Sequence, residues 1–166
     1  VASQSALAKA RIDFRVFVLL IWRHLGLPDP TPVQYRIAWY LQHGPRRKVI
    51  QAFRGVGKSW ITSAFVLWLL WNDKNLKILV VSASKDRSDA FSIFTKKLLA
   101  EVEWLKHLRP DPRKGDRDSN ISFDVRACKP AHAPSVKSVG ITGQIAGSRA
   151  DFIVADDVEV PNNSET

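Results

Sequence analysis

Cysteine is almost missing from the 166-residue chain. Cys128 stands alone, which excludes an intrachain disulfide and any cysteine-based zinc cluster and suits a reducing compartment. Long apolar runs are missing too. The longest, Trp60 to Trp71, has 12 residues with Thr62 and Ser63 inside, against the roughly 20 that a membrane-spanning helix needs. The opening Val1-Ala2-Ser3-Gln4 has neither the n-region nor the h-region of a signal peptide, so no membrane partner is expected. The four histidines have no carboxylate or cysteine at ligand spacing and do not read as a metal site. Acidic residues are scarce at the front. Residues 1–60 hold ten basic and two acidic side chains, whereas the remainder is close to balance, for a net charge of +9. That surplus favours a polyanionic partner, nucleic acid or nucleotide. A hydrophobic content of 45% with six Trp and eight Phe excludes a disordered chain.

With no repeat and no interior linker, a single domain is expected over 1–166, helical through about residue 45 and an α/β core over 46–166. Leu7, Ala10, Phe14, Phe17, Ile21 and Leu25 predict one helix from Ala6 to Leu25. Thr31 and Pro32 predict the cap and first turn of a second, which runs to His43 and stops at Gly44-Pro45. Val49 to Phe53 reads as a buried strand and Ser59 to Trp71 as a buried helix. Lys77 to Ala83 reads as a second buried strand. Ser84 or Asp86 can cap a third helix carrying Phe91, Phe94, Leu98, Val102 and Leu105, with a loop at 109–119. The alternation of Ile121, Phe123 and Val125 predicts a half-buried strand paired with Val136 to Thr142 as an inserted hairpin, and Phe152 to Ala155 predicts a last strand. The order is that of an α/β fold with a mostly parallel sheet flanked by helices and a β-hairpin insertion.

The stretch Ala52-Phe53-Arg54-Gly55-Val56-Gly57-Lys58-Ser59 fits the phosphate-binding pattern G-x-x-x-x-G-K-[ST] except that Ala52 replaces the first Gly. Such a loop, set between a strand and a helix N-terminus, turns its backbone N–H groups toward a phosphate chain, and the helix dipole adds positive charge. Gly55 and Gly57 permit positive φ, Lys58 reaches the terminal phosphates of a nucleotide, and the Ser59 hydroxyl is placed to ligate Mg²⁺. The complementary half is Phe152-Ile153-Val154-Ala155-Asp156-Asp157. Two acids at the C-terminal end of a strand lie where open α/β sheets put their ligands. Asp156 is the Mg²⁺ carboxylate and Asp157 the residue that orients water, with Glu159 in reserve. Arg54 and Arg149 are candidates for stabilising charge on the γ-phosphoryl oxygens, in cis or from a neighbour; surface cations or salt bridges, such as Arg149 with Asp151, are the plainer alternatives. Gln34 could read adenine through its amide, but Thr31-Pro32-Val33-Gln34 is also a capping box, and on chemistry alone capping is preferred.

Together these segments resemble the ATPase domain of the large terminase subunit of short-tailed lytic bacteriophages. So do Leu79-Val80-Val81-Ser82-Ala83-Ser84-Lys85, Ser135 to Gly143 and Gly147-Ser148-Arg149-Ala150-Asp151. The resemblance implies a P-loop NTPase of the additional-strand, helicase-like class, a deviant Walker A whose arginine is Arg54, an adenine contact at Gln34 and a trans-acting arginine at Arg149. The family usually has Asp-Glu at Walker B; Asp156-Asp157 departs from it and leaves the water-orienting role open between Asp157 and Glu159. It further implies an ATP- and Mg²⁺-dependent motor that pumps double-stranded DNA into a procapsid. Its partners would be the portal protein, a small terminase subunit and further copies in a ring. The setting would be the cytoplasm of the infected host, transiently docked on the procapsid. The family's C-terminal nuclease is not within these residues. As the chain begins at Val and ends nine residues after Asp157, it is expected to be a piece of a longer one. Two rival readings are a small P-loop kinase, with 109–117 as its lid, and a non-catalytic fragment that contacts DNA or the portal.

Overall fold

The computed structural model describes residues 2–158, and they form two compact units that divide after Asn72.

The first unit has four helices, α1 (Gln4–Ile12), α2 (Phe14–His24), α3 (Pro32–His43) and α4 (Lys58–Asn72). The single helix expected over 6–25 is broken at Asp13, whose carboxylate accepts the Arg15 N–H and caps α2. Gln42 of α3 bridges the break: its amide oxygen accepts the Phe14 N–H at 2.8 Å and its amide nitrogen donates to the Ile12 carbonyl at 2.7 Å. A side chain distant in sequence thus satisfies both backbone groups that the break leaves open. Phe14, Phe17, Val18 and Ile21 bury the apolar stripe of α2. Phe14 meets Phe65 and Trp68 of α4 at ring distances of 5.1 and 5.4 Å, and Phe17 meets Trp71 at 5.6 Å. Arg11 lies over the Trp71 ring and donates to the Trp71 carbonyl at 2.9 Å, closing the C-terminal end of α4.

Val49 to Phe53 is not a strand, contrary to expectation. Val49 is 89% and Phe53 67% exposed, and among the described residues no strand pairs with this segment. A strand is stable only when a neighbour takes up its N–H and C=O groups.

The second unit is a mixed four-stranded sheet with a helix across it. Its strands are β1 (Ile78–Ser82), β2 (Ser122–Phe123), β3 (Val136–Gly140) and β4 (Phe152–Asp156), in the order β2-β3-β1-β4. Helix α5 (Lys85–Glu101) is capped by the Ser84 hydroxyl and continues into a 3₁₀ turn at Glu103–Leu108. Both β3 and β4 run parallel to β1; only the two-residue β2 is antiparallel, against β3. The expected antiparallel pairing of the 121–125 and 136–142 segments is present, shortened to Ser122 and Phe123 against Lys137 and Val136; it is not a separate insertion, because β3 also pairs in parallel with β1. Val136–Gly140 is an interior strand of the sheet, and its period-two pattern arises because Lys137 and Val139 are only half-buried while Val136, Ser138 and Gly140 are buried.

β1 is buried at every position, as a central parallel strand requires. Helix α5 packs on β1 and β3, and the buried Ser138 hydroxyl donates to the Ser88 carbonyl at 2.9 Å. Gly140 makes the close approach possible. A Cβ there would lie 2.8 Å from the Lys85 nitrogen and 2.9 Å from the Ser84 carbonyl carbon. Backbone cannot yield as a side chain can, so Gly140→Ala is expected to cost about 1–3 kcal/mol, read as a lowered denaturant midpoint with an unchanged slope. No helix among the described residues is long and apolar enough to cross a membrane.

Candidate phosphate loop and acidic strand end

In the first unit, the loop before α4 has the backbone that its glycines predict. Gly55 and Gly57 have φ of +89° and +85°, the left-handed region that glycine enters without steric cost. Successive residues of this kind turn N–H groups to one side, the arrangement that cradles an anion. Val56 between them is buried and anchors the loop, while Phe53 and Arg54 are exposed. The Lys58 ammonium curls back over the loop, donating to the Ala52 carbonyl at 2.9 Å and the Phe53 carbonyl at 3.3 Å. The exposed Ser59 stands in the first turn of α4.

Gln34 is drawn into this loop in a way the sequence does not reveal. Its amide oxygen accepts the Thr31 N–H at 2.8 Å and completes the capping box of α3. Its amide nitrogen donates to the Val56 carbonyl at 2.9 Å. Both ends of the amide are engaged, so Gln34 ties the start of α3 to the loop. A Cβ on Gly57 would meet that same nitrogen at 3.4 Å, an ordinary contact, so the position is restricted by its φ of +85° rather than by space.

In the second unit, β4 ends on the half-buried Asp156, in register with Ser82 of β1. Asp157 follows in the left-handed region, φ +53°, so the chain turns sharply as it leaves the sheet. Its carboxylate pairs with Arg87 in the first turn of α5. Sequence reasoning missed Arg87. The two residues are 70 apart in sequence, and only the adjacency of β1 and β4 brings the start of α5 beside the acidic strand end. Glu159 lies outside the described residues.

Arg149 is at the other end of β4. Two residues later, Asp151 is fixed to the start of β1: the Lys77 N–H donates to its carboxylate at 2.8 Å, and its own N–H donates to the Lys77 carbonyl at 2.7 Å. The suggested Arg149–Asp151 pair is therefore absent. Exposed Arg149 lines a groove with His132, Lys137 and Ser148 beside Ile78 and Leu79. Four residue steps of β4, about 13 Å at strand rise, separate Phe152 from Asp156, so Arg149 and Asp157 are at opposite ends of β4.

As donors, these residues suit the groups predicted for them. Two left-handed glycines, a lysine and a helix N-terminus suit a phosphate chain, and the Ser59 hydroxyl and Asp156 carboxylate are oxygen donors of the kind Mg²⁺ prefers. No family model matches the chain. The large terminase subunit of Enterobacteria phage T3 is similar to it, 54% identical over 168 residues that cover 99% of this chain and 28% of that protein. The chain thus spans little more than a quarter of the length of the curated relative it matches.

Proposed function

Starting from its kinship, over nearly every residue, with a large terminase subunit, we propose that this chain is the P-loop ATPase part of a phage DNA-packaging motor. The observation that carries the reading is the loop at 52–59, where two left-handed glycines lead into Lys58 and Ser59 at the start of α4.

In the proposed reaction, water attacks the γ-phosphate of ATP as the bond to the bridging oxygen of the β-phosphate breaks, giving ADP and inorganic phosphate. The loop N–H groups and Lys58 hold the phosphates. Ser59 and Asp156 hold Mg²⁺, which neutralises charge on the phosphate oxygens when bound. Asp157 orients the water, with Glu159 as the alternative, and Arg87 holds the Asp157 carboxylate until it is needed. Arg54 acts in cis or Arg149 acts from a neighbouring copy; the latter is favoured for Arg149 because it sits at the opposite end of β4 from Asp157 in its own unit. Gln34 either keeps its cap or exchanges it for adenine. Ring assembly, double-stranded DNA, the portal protein, the small terminase subunit and action in the host cytoplasm on the procapsid belong to the same proposal.

One observation favours a second reading, in which the chain contacts DNA or portal without turning over ATP: in the segment leading into the loop, Val49 and Phe53 are exposed, and among the described residues no strand pairs with it. Steady-state ATP hydrolysis by the purified chain, with and without Mg²⁺ and duplex DNA, separates the two. The ATPase reading expects Mg²⁺-dependent turnover that falls in Asp157→Ala. Turnover that survives in Asp157→Ala assigns the role to Glu159, and duplex binding that is indifferent to nucleotide, with no turnover, selects the second reading.

A further inference from the structure

In the second unit, residues 114–131 fold into a rigid, basic groove that none of the chemistry above uses. Its cavity is about 530 Å³ and its rim carries Lys114, Arg126 and Lys129. All three are exposed, and among the described residues none has an ion-pair partner. Two carboxylates also line it, and both are engaged. Asp124 holds the Arg117 guanidinium at 2.8 Å and accepts the Ser135 N–H at 3.1 Å, and Asp116 accepts the Asp111 N–H at 2.8 Å. Arg117 and Asp124 cancel, while the backbone N–H leaves the charge of Asp116 in place, so the groove's positive surplus is that of Lys114, Arg126 and Lys129 against one carboxylate.

Its walls are fixed from several sides. Arg117 also donates to the His132 and Ala131 carbonyls, each at 2.6 Å. The Arg126 N–H reaches the Leu108 carbonyl at 2.9 Å, and the Lys129 N–H reaches the Asn75 side chain at 2.9 Å. Between them Ala127 adopts φ +60°, a conformation an alanine takes only when its surroundings impose it. Three cations against one carboxylate, around a concavity whose backbone is tied from several sides, leave a surplus that an entering anion would neutralise. Lysine and arginine together match the point charge and the planar fork that phosphate oxygens accept.

We propose that this groove is a phosphate oxyanion site, filled either by the backbone phosphates of a nucleic acid or by free phosphate. The inference is independent of the ATPase reading. Cys128 lines the groove and is the chain's one cysteine, so its alkylation rate reports occupancy directly. The test pairs that rate with the salt dependence of binding to a labelled duplex, comparing Arg126→Ala/Lys129→Ala with Lys9→Ala/Lys74→Ala, which loses equal charge elsewhere. All four positions are exposed, so both variants are expected to fold.

For the nucleic-acid source, duplex slows alkylation of Cys128 and the slope of log affinity against log salt drops by roughly 2 in the groove variant, at about 0.9 per phosphate contact, but not in the control. If millimolar inorganic phosphate slows alkylation, duplex does not, and the slope is unchanged, the site stands with free phosphate as its ligand. If neither ligand slows alkylation the proposal is overturned, even where the slope falls, because the charges then act from outside the groove.

Discussion

Lys58→Ala is expected to lower ATP turnover by roughly a hundred- to a thousandfold, the range for loss of one preorganised donor to developing charge. The magnitude follows from what the ammonium does at rest. It is already gathered over the loop by the Ala52 and Phe53 carbonyls, so it reaches a phosphate chain by a small movement and with little ordering cost. Lys58→Arg is expected to recover only part of the rate, since a planar fork cannot take the place of a compact charge between two carbonyls. Thermal unfolding provides the control. The removed bonds are at a partly exposed loop, so the melting midpoint of Lys58→Ala is expected to stay close to that of the parent while turnover falls.

The largest expected loss of stability comes from Asp124, which lines the basic groove and takes no part in the proposed ATP chemistry. Its side chain is 7% exposed, and it accepts the Arg117 guanidinium, the Arg117 N–H at 3.0 Å and the Ser135 N–H. Asp124→Ala leaves a guanidinium and two N–H groups without their acceptor. The cost is expected at about 3 kcal/mol, the low end for breaking a buried pair because Arg117 keeps some contact with water. Burial pushes the Asp124 carboxyl upward, but the hydrogen bonds from Arg117 and Ser135 and the guanidinium charge outweigh it and hold it below its ordinary value. The sign follows directly. A carboxyl depressed in the folded state contributes stability above its unfolded pKa of about 3.9, and that contribution disappears as pH falls through the lower native value. Urea midpoints of parent and Asp124→Ala are therefore expected to differ most near neutrality and to converge in strong acid.

Features set by neighbouring residues were legible in the sequence. Thr31-Pro32 starts α3, Ser84 caps α5, and the glycines at 55 and 57 have the positive φ that their spacing suggests. Features made by distant partners were not. The break at Asp13 depends on Gln42, the placing of Asp157 depends on Arg87, and Gln34 serves its helix and the loop at once. Val136–Gly140 was half legible. Its antiparallel pairing with the 121–125 segment could be read from the two neighbouring apolar stretches, but its parallel pairing with β1, which is distant in sequence, leaves no local signal. Val49 to Phe53 has the composition of a strand, but composition supplies no partner.

The central claim is that the loop at 52–59 binds the phosphates of a nucleotide through Lys58. Equilibrium titration of the folded chain with Mg²⁺ and ATP, beside Lys58→Ala shown by circular dichroism to be equally folded, tests it most directly. The account predicts saturable binding by the parent chain that is lost in the variant. A folded parent chain that does not bind ATP, or a variant that binds it equally well, would contradict it.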